Sequence, residues 1–257
     1  MAATPDPPGH GDGLAAYGTG RWKREPIVNL MRTRDDGAEQ DTRRRLRTVA
    51  KAAALGGGPL FLLGVLLHPA RDGAGIAAAG QTYGITHGLQ AIGLLLLTVG
   101  LAGAYALDTA KFGRQGPAAF LTAMAGTMWW FGLIVLDGTR NPVTAKYAPE
   151  LVHTPADLDA GSAIISLPAL LVFPVGYVLL AQLLTRHGAR WPGLLVGVGA
   201  VVYWSAAIPL FAVGPQSPLI QLLEIAGALP FALGFVLLGP RWGQASSSTT
   251  RPSHEWT

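Results

Sequence analysis

Long uncharged, apolar segments constrain the fold of this 257-residue chain more than any other feature. A helix rises 1.5 Å per residue, so about 20 mostly apolar residues cross the roughly 30 Å hydrocarbon core of a membrane. The stretch after residue 191 is too long for one helix, and a turn at Gly214 and Pro215 divides it. The sequence therefore predicts an all-α membrane protein, a bundle of about six transmembrane helices. The predicted spans are residues 52–70, 85–107, 115–136, 160–184, 191–213 and 218–238.

Polar segments flank this apolar body at both ends of the chain. Residues 1–48 are rich in Pro, Gly, Asp and Arg and have little apolar periodicity, so burial cannot offset the entropy lost on ordering them. We expect residues 1–48 to form a disordered basic cytoplasmic tail and residues 241–257 a short disordered cytoplasmic tail. The transmembrane domain is predicted to cover residues 49–240.

The distribution of lysine and arginine predicts the orientation of the chain in the membrane. Cytoplasmic connections carry an excess of these residues. With a cytoplasmic N-terminus, 16 of the 19 Lys and Arg lie inside and only Arg71, Arg140 and Lys146 lie outside. Both termini are therefore predicted to be cytoplasmic. Richness in Ala, Gly, Arg and Pro is typical of proteins from high-GC bacteria, so the predicted location is a bacterial cytoplasmic (inner) membrane.

Composition also narrows the partners and the chemistry. The net charge of +4 is explained by the lysine and arginine residues of the cytoplasmic connections. The predicted partner is therefore a lipid bilayer, and no nucleic-acid partner is predicted. The chain has no cysteine, which excludes disulfides, thiolate metal sites and a cysteine nucleophile. No nucleotide-binding or membrane-protease motif is present either. The sequence thus favours a non-catalytic protein.

Glu224 is the one charged side chain inside the sixth predicted span. A charge within a span costs a few kcal/mol on insertion scales and commonly faces the protein interior or a water-filled cavity. Its carboxyl group is a candidate for relaying protons or binding a ligand. The structural alternative is that Glu224 reaches water or pairs with an arginine of an outer connection.

His68 and His87 are predicted to lie near the outer surface, at the depth of Glu224. Two imidazoles and a carboxylate are the ligand types of a small metal site with open positions. Two histidines at similar depth on facing helices also resemble the axial ligands of a haem. The two are 19 residues apart and no span carries a His-x-x-x-His motif, so no cofactor is predicted, with metal or haem as the alternative.

Three further polar residues belong to the same predicted layer. Asp137 follows the third span and either binds a ligand or a proton or is a helix-end residue that faces water. Gln90 and Gln221 lie one turn from His87 and Glu224, so they are candidates for hydrogen bonds to these residues or between helices.

The leading functional hypothesis is a membrane component that acts through helix packing, as a homo-oligomer or with a membrane-protein partner. It depends on small residues at four-residue spacing, which let helix backbones approach closely, within one chain or between copies. These are Gly193 and Gly197; Gly100 and Ala104; and Ala118, Thr122 and Gly126.

The alternative is a small-solute or ion-coupled transporter that uses Glu224, with His68, His87 and Asp137 lining an outer vestibule. A third hypothesis is a metal- or haem-binding redox protein built on His68 and His87. These hypotheses differ in one structural expectation: in the second and third, Glu224 shares a polar cavity with both histidines.

Overall fold

The computed structural model describes residues 25–152 and 160–242, and all the regular structure in these ranges is helical. Two short 3₁₀ turns, Pro149–Leu151 and Gly239–Arg241, follow two of the long helices. The α-helices are α1 (Glu25–Leu66), α2 (Gly73–Ala79), α3 (Gln81–Phe112), α4 (Gln115–Tyr147), α5 (Ala160–Arg186), α6 (Arg190–Ser205), α7 (Ala207–Ala212) and α8 (Pro218–Leu238).

The described residues contain six helical segments long and apolar enough to cross a membrane, which is the number predicted. The fold is all-α, and these segments have the length and composition typical of a multi-pass membrane protein. The segments are Gly37–Leu66, Gln81–Asp108, Gln115–Tyr147, Ser166–Arg186, Arg190–Ala212 and Pro218–Arg241.

Helix α1 begins well before the first predicted span. It is helical from Glu25, so residues 25–48 of the predicted tail lie in a helix. Hydropathy did not reveal this helix, because arginine, alanine, glutamate and leucine all favour helices. A segment that mixes them is too polar to be recognised as a membrane span. Residues as far as Asp41 form one structural unit and those from Thr42 onward a second. The rest of both predicted tails, residues 1–24 and 243–257, lies outside the described ranges.

The predicted end of the third span is wrong at one end of the bundle, where α1 and α4 finish and α3 and α8 begin. We call this the cavity end. Helix α4 continues to Tyr147, eleven residues past its predicted end, so Asp137 lies within a helix and not at its terminus. The short helix α2 packs against this extension, and Ile76 and Tyr83 form a small core with Ala145 there.

The fifth span is divided, as its proline suggests. Helix α6 ends at Ser205 and α7 begins at Ala207, shortly before Pro209. Proline has no N–H to donate and its ring clashes with the carbonyl four residues earlier, here that of Ser205. The break places α7 along the edge of the cavity described below.

The small-residue faces are used within this chain. A Cβ atom on Gly126 of α4 would lie 2.6 Å from Cα of Phe173 on α5. A Cβ atom on Gly193 of α6 would lie 3.0 Å from Cβ of Leu184, also on α5. Helices of this chain therefore cover Gly126 and Gly193, whereas Ala118, which begins the same face as Gly126, is exposed.

Candidate functional site

A cavity of about 820 Å³ lies at the cavity end of the bundle. One part of its wall is polar and contains five of the six predicted site residues, all but Gln221; the other part is apolar. The polar lining comprises His68, Arg71, His87, Gln90, Asp137, Arg140, Asn141, Ser166, Tyr203 and Glu224. The structure thus brings Glu224 into one polar cavity with both histidines, as the transporter and redox hypotheses both expect.

Glu224 is held by an arginine from a distant part of the chain. The Arg71 guanidinium, in the connection between α1 and α2, forms an ion pair with the Glu224 carboxylate. Both side chains are largely buried, with 10% and 17% of their surfaces exposed. Arg71 also donates to Oε1 of Gln221, whose amide nitrogen donates to the Val65 carbonyl at the end of α1. Gln221 therefore orients Arg71 and links α8 to α1, which is the second of its two predicted roles.

His68 and His87 form a pair at the centre of the polar wall. Their Nε2 atoms are 3.4 Å apart. Nδ1 of His68 lies 2.7 Å from the Pro69 carbonyl, and Nδ1 of His87 lies 2.8 Å from the Tyr83 carbonyl. A carbonyl only accepts, so each Nδ1 carries a proton and donates. In the neutral imidazoles, each Nε2 is therefore an acceptor.

Asp137 completes this group, because its Oδ2 lies 3.0 Å from Nε2 of His87. Its Oδ1 accepts from the Tyr83 hydroxyl at 2.8 Å, and Asn141 donates to the same oxygen. A carboxylate and an unprotonated Nε2 are both acceptors, so their contact requires one additional proton between them. The pair of His87 and Asp137 thus holds one proton inside the cavity.

His68 stays neutral over a wide pH range. Its pKa is lowered from 6.5 to about 3, mainly by burial and also by the nearby Arg71 and His87, against the opposing effects of the Pro69 carbonyl and Asp137. His68 is therefore available as a hydrogen-bond acceptor at neutral pH.

Gln90 lies one turn beyond His87 but bonds to a different helix. Its Oε1 accepts from the buried Tyr203 hydroxyl of α6 at 3.4 Å. Tyr203 also packs edge-on against Trp130, so α3, α4 and α6 meet at the base of the cavity. Gln90 thus links helices, one of its two predicted roles, while its side chain also lines the cavity.

Sequence reasoning missed Arg71, Tyr83, Asn141 and Tyr203 as members of the site. Helical spacing carried a signal for two of them, since Tyr83 precedes His87 by four residues and Asn141 follows Asp137 by four. Arg71 was not named as a site residue, but the pair it forms with Glu224 is the structural alternative given above, in which Glu224 pairs with an arginine of an outer connection.

No group of three or more His, Cys, Asp or Glu side chains within residues 25–152 and 160–242 is arranged to hold a metal ion. Comparisons of the chain with family models, curated proteins and solved structures give no match. The functional argument therefore depends on the cavity.

Proposed function

We propose that this chain is a proton-linked transporter of a small solute in a bacterial cytoplasmic membrane, with both termini in the cytoplasm. One observation carries the proposal: Glu224 lines a cavity of about 820 Å³ together with His68, His87 and Asp137. Ligand cavities are typically about 300–1,000 Å³ and combine an apolar lining with a few polar groups. The cavity has the size and the mixed lining of such a site.

In the proposed orientation the cavity opens toward the outer face. Glu224 is six residues from the start of α8, about 9 Å along the helix at 1.5 Å per residue. Ionisable groups at such depths are characteristic of substrate and proton pathways. A solute entering the cavity would therefore meet Glu224 before it reached the middle of the bundle.

The Arg71 and Glu224 pair supplies a physical basis for coupling. With Glu224 ionised, the ion pair ties the connection after α1 to α8. A proton on Glu224 removes its charge and weakens this tie, while Arg71 keeps its hydrogen bond to Gln221. Proton uptake would thus loosen one wall of the cavity, which is the event that an alternating-access cycle requires.

The transporter proposal replaces the packing hypothesis as the leading one. Five of the seven small residues on which that hypothesis depended are buried within the chain, and Ala118 is exposed. A cavity lined by several polar groups is, by contrast, typical of a ligand site, because buried polar groups cost free energy unless they are hydrogen-bonded.

Proton flux in sealed vesicles tests the proposal. The full chain is reconstituted with a trapped pH-sensitive dye, and amino acids, short carboxylic acids, sugars and medium-chain alcohols are added in turn. At least one class should change the internal pH, and Glu224→Gln should abolish the change. Asp108→Asn is the matched control, because Asp108 pairs with Lys111 at the opposite end of the bundle and does not line the cavity. An absence of flux with every class, or equal flux in Glu224→Gln, would overturn the proposal.

A further inference from the structure

The two walls of the cavity differ in chemistry, and this difference constrains the ligand. The polar residues come mainly from the connection after α1, from α3 and α8, and from the extension of α4. The apolar wall is formed by side chains of α4, α5 and α7 and the start of α8, namely Leu133, Ile134, Leu136, Leu170, Leu210, Phe211, Val213 and Ile220. A ligand that fills the cavity must therefore have a polar end and an apolar body.

Among the charged residues of the polar wall, Arg140 is exposed and makes an interaction of its own, and the other charges are compensated in pairs. Arg71 pairs with Glu224, and His87 contacts Asp137. A charged ligand would have to displace one of these partners and leave a buried charge uncompensated, at a cost of several kcal/mol. The cavity thus favours a neutral head group.

The head group should donate a hydrogen bond. Three atoms converge in the polar wall: Nε2 of His68, Nε2 of His87 and Oδ2 of Asp137. The proton in the 3.0 Å contact between Nε2 of His87 and Oδ2 satisfies both of these atoms, and Nε2 of His68 lies farther from Nε2 of His87, at 3.4 Å. Nε2 of His68 has no proton of its own, and His68 lines the cavity, so a hydroxyl of the ligand can donate to it.

Much of the exposed lining of the cavity is apolar, and Arg140 is its exposed charged residue. Three residues of its lining are also strongly exposed: Leu136 (46%) near the middle of α4, and Phe211 (52%) and Val213 (73%) at the end of α7. In a multi-pass membrane protein, exposed apolar side chains at the end of a span lie against lipid. A ligand would therefore enter sideways from the bilayer, with its apolar body in lipid.

We infer that the ligand is a neutral, lipid-soluble amphiphile with an alkyl-like body and a hydroxyl head that donates to His68. The inference rests on the proposed function, since it names the class of solute that the transporter would carry.

Photo-crosslinking in nanodiscs tests this ligand class with the full chain. The probe is dodecan-1-ol carrying a diazirine on its alkyl chain, and labelled residues are mapped by mass spectrometry. The competitors are unlabelled dodecan-1-ol, dodecane and dodecanoate, which share a chain length and differ in the head group. Labels should fall on the apolar wall, and dodecan-1-ol should compete far better than the other two.

Two histidine variants sharpen the test. A neutral hydrogen bond contributes about 0.5–1.5 kcal/mol, so His68→Ala should weaken competition by dodecan-1-ol roughly two- to tenfold. His187→Ala is the control, because its Nδ1 also donates to a backbone carbonyl but it lies at the other end of the bundle. The competitor series in the wild-type protein decides the question even if His68→Ala does not fold.

Three results would overturn the inference: no label in the cavity, equal competition by all three compounds, or stronger competition by dodecanoate. The inference and the transporter proposal fail separately. Glu224-dependent flux of a charged or strongly polar solute, without labelling of the cavity, would contradict the amphiphile inference and support the transporter proposal. Cavity labelling that dodecan-1-ol competes away, without proton flux, would support the ligand class and contradict proton-linked transport.

Discussion

Arg71 and Glu224 are 153 positions apart in the chain and form a buried ion pair at the edge of the cavity. The pair connects the segment after the first long helix to the last one. Gln221, one turn before Glu224 on α8, holds the same guanidinium through a 2.9 Å hydrogen bond. The position of Arg71 is thus determined by two side chains of one helix.

Breaking this pair from one side should be strongly destabilising. Glu224→Gln leaves a buried guanidinium without its counter-charge, and Arg71→Gln leaves a buried carboxylate. We expect each variant to lose about 3 kcal/mol or more, and the double variant to lose clearly less than the sum. Thermal unfolding of the four proteins in one detergent measures the coupling. Additive losses would contradict a direct interaction between the two residues.

Acid should destabilise the protein through His68. Its pKa is 6.5 in the unfolded chain and about 3 in the folded one, so the unfolded state binds more protons between these values. The contribution of neutral His68 to the free energy of unfolding is therefore fully present above pH 6.5. It falls by about 1.4 kcal/mol for each pH unit below that value. Melting temperatures of the wild type and His68→Ala from pH 7.5 to pH 4.5 test this. The slope should be shallower in His68→Ala and unchanged in His187→Ala; an unchanged slope in His68→Ala would refute the assignment.

Two glycines of α4 should respond in opposite directions to the same substitution. Gly126 faces the backbone of α5, where a Cβ atom would lie 2.6 Å from Cα of Phe173, whereas a Cβ atom on Gly132 meets nothing within 4 Å. Gly126→Ala should destabilise the chain by about 1–3 kcal/mol, and Gly132→Ala should be neutral or stabilise it by up to about 1 kcal/mol. Thermal unfolding compares them directly, and equal effects would argue against the close packing of α4 and α5.

The orientation is open to direct chemical test because the natural chain has no cysteine. Gln216→Cys lies in the connection before α8, and His187→Cys lies in the connection before α6. In intact cells, a membrane-impermeant maleimide should label Gln216→Cys at once and label His187→Cys only after lysis. The reverse pattern would invert the proposed topology and place the cavity on the cytoplasmic side.

The number of membrane-spanning helices could be predicted because it depends on properties that act along the chain. Uncharged segments of about 20 residues and the turn at Gly214 are both visible without any tertiary information. Helix ends were predicted less well where polar residues continue a helix beyond the apolar stretch. Residues 138–147 of α4 show this, since contacts with α2 stabilise them and hydropathy does not.

Part of the site could be predicted from the sequence, and most of its pairing could not. Polar residues in apolar segments are rare enough that Glu224, His68, His87 and Asp137 were identifiable one by one. Their partners depend on which helices are neighbours, and residues separated by 50 to 153 positions carry no local signal of that. For Glu224 the sequence offered an outer arginine as a possible partner, and the structure shows that this arginine is Arg71.

Ligand-dependent thermal stabilisation tests the central claim most directly, namely that the cavity around Glu224 binds a solute. Wild type, Glu224→Gln and the control Asp108→Asn are melted in detergent with amino acids, short carboxylic acids, sugars and medium-chain alcohols, each shift being measured against the same protein without solute. We expect one class to raise the melting temperature of wild type and Asp108→Asn and to have little effect on Glu224→Gln. No stabilisation by any class, or an equal shift in Glu224→Gln, would contradict the account.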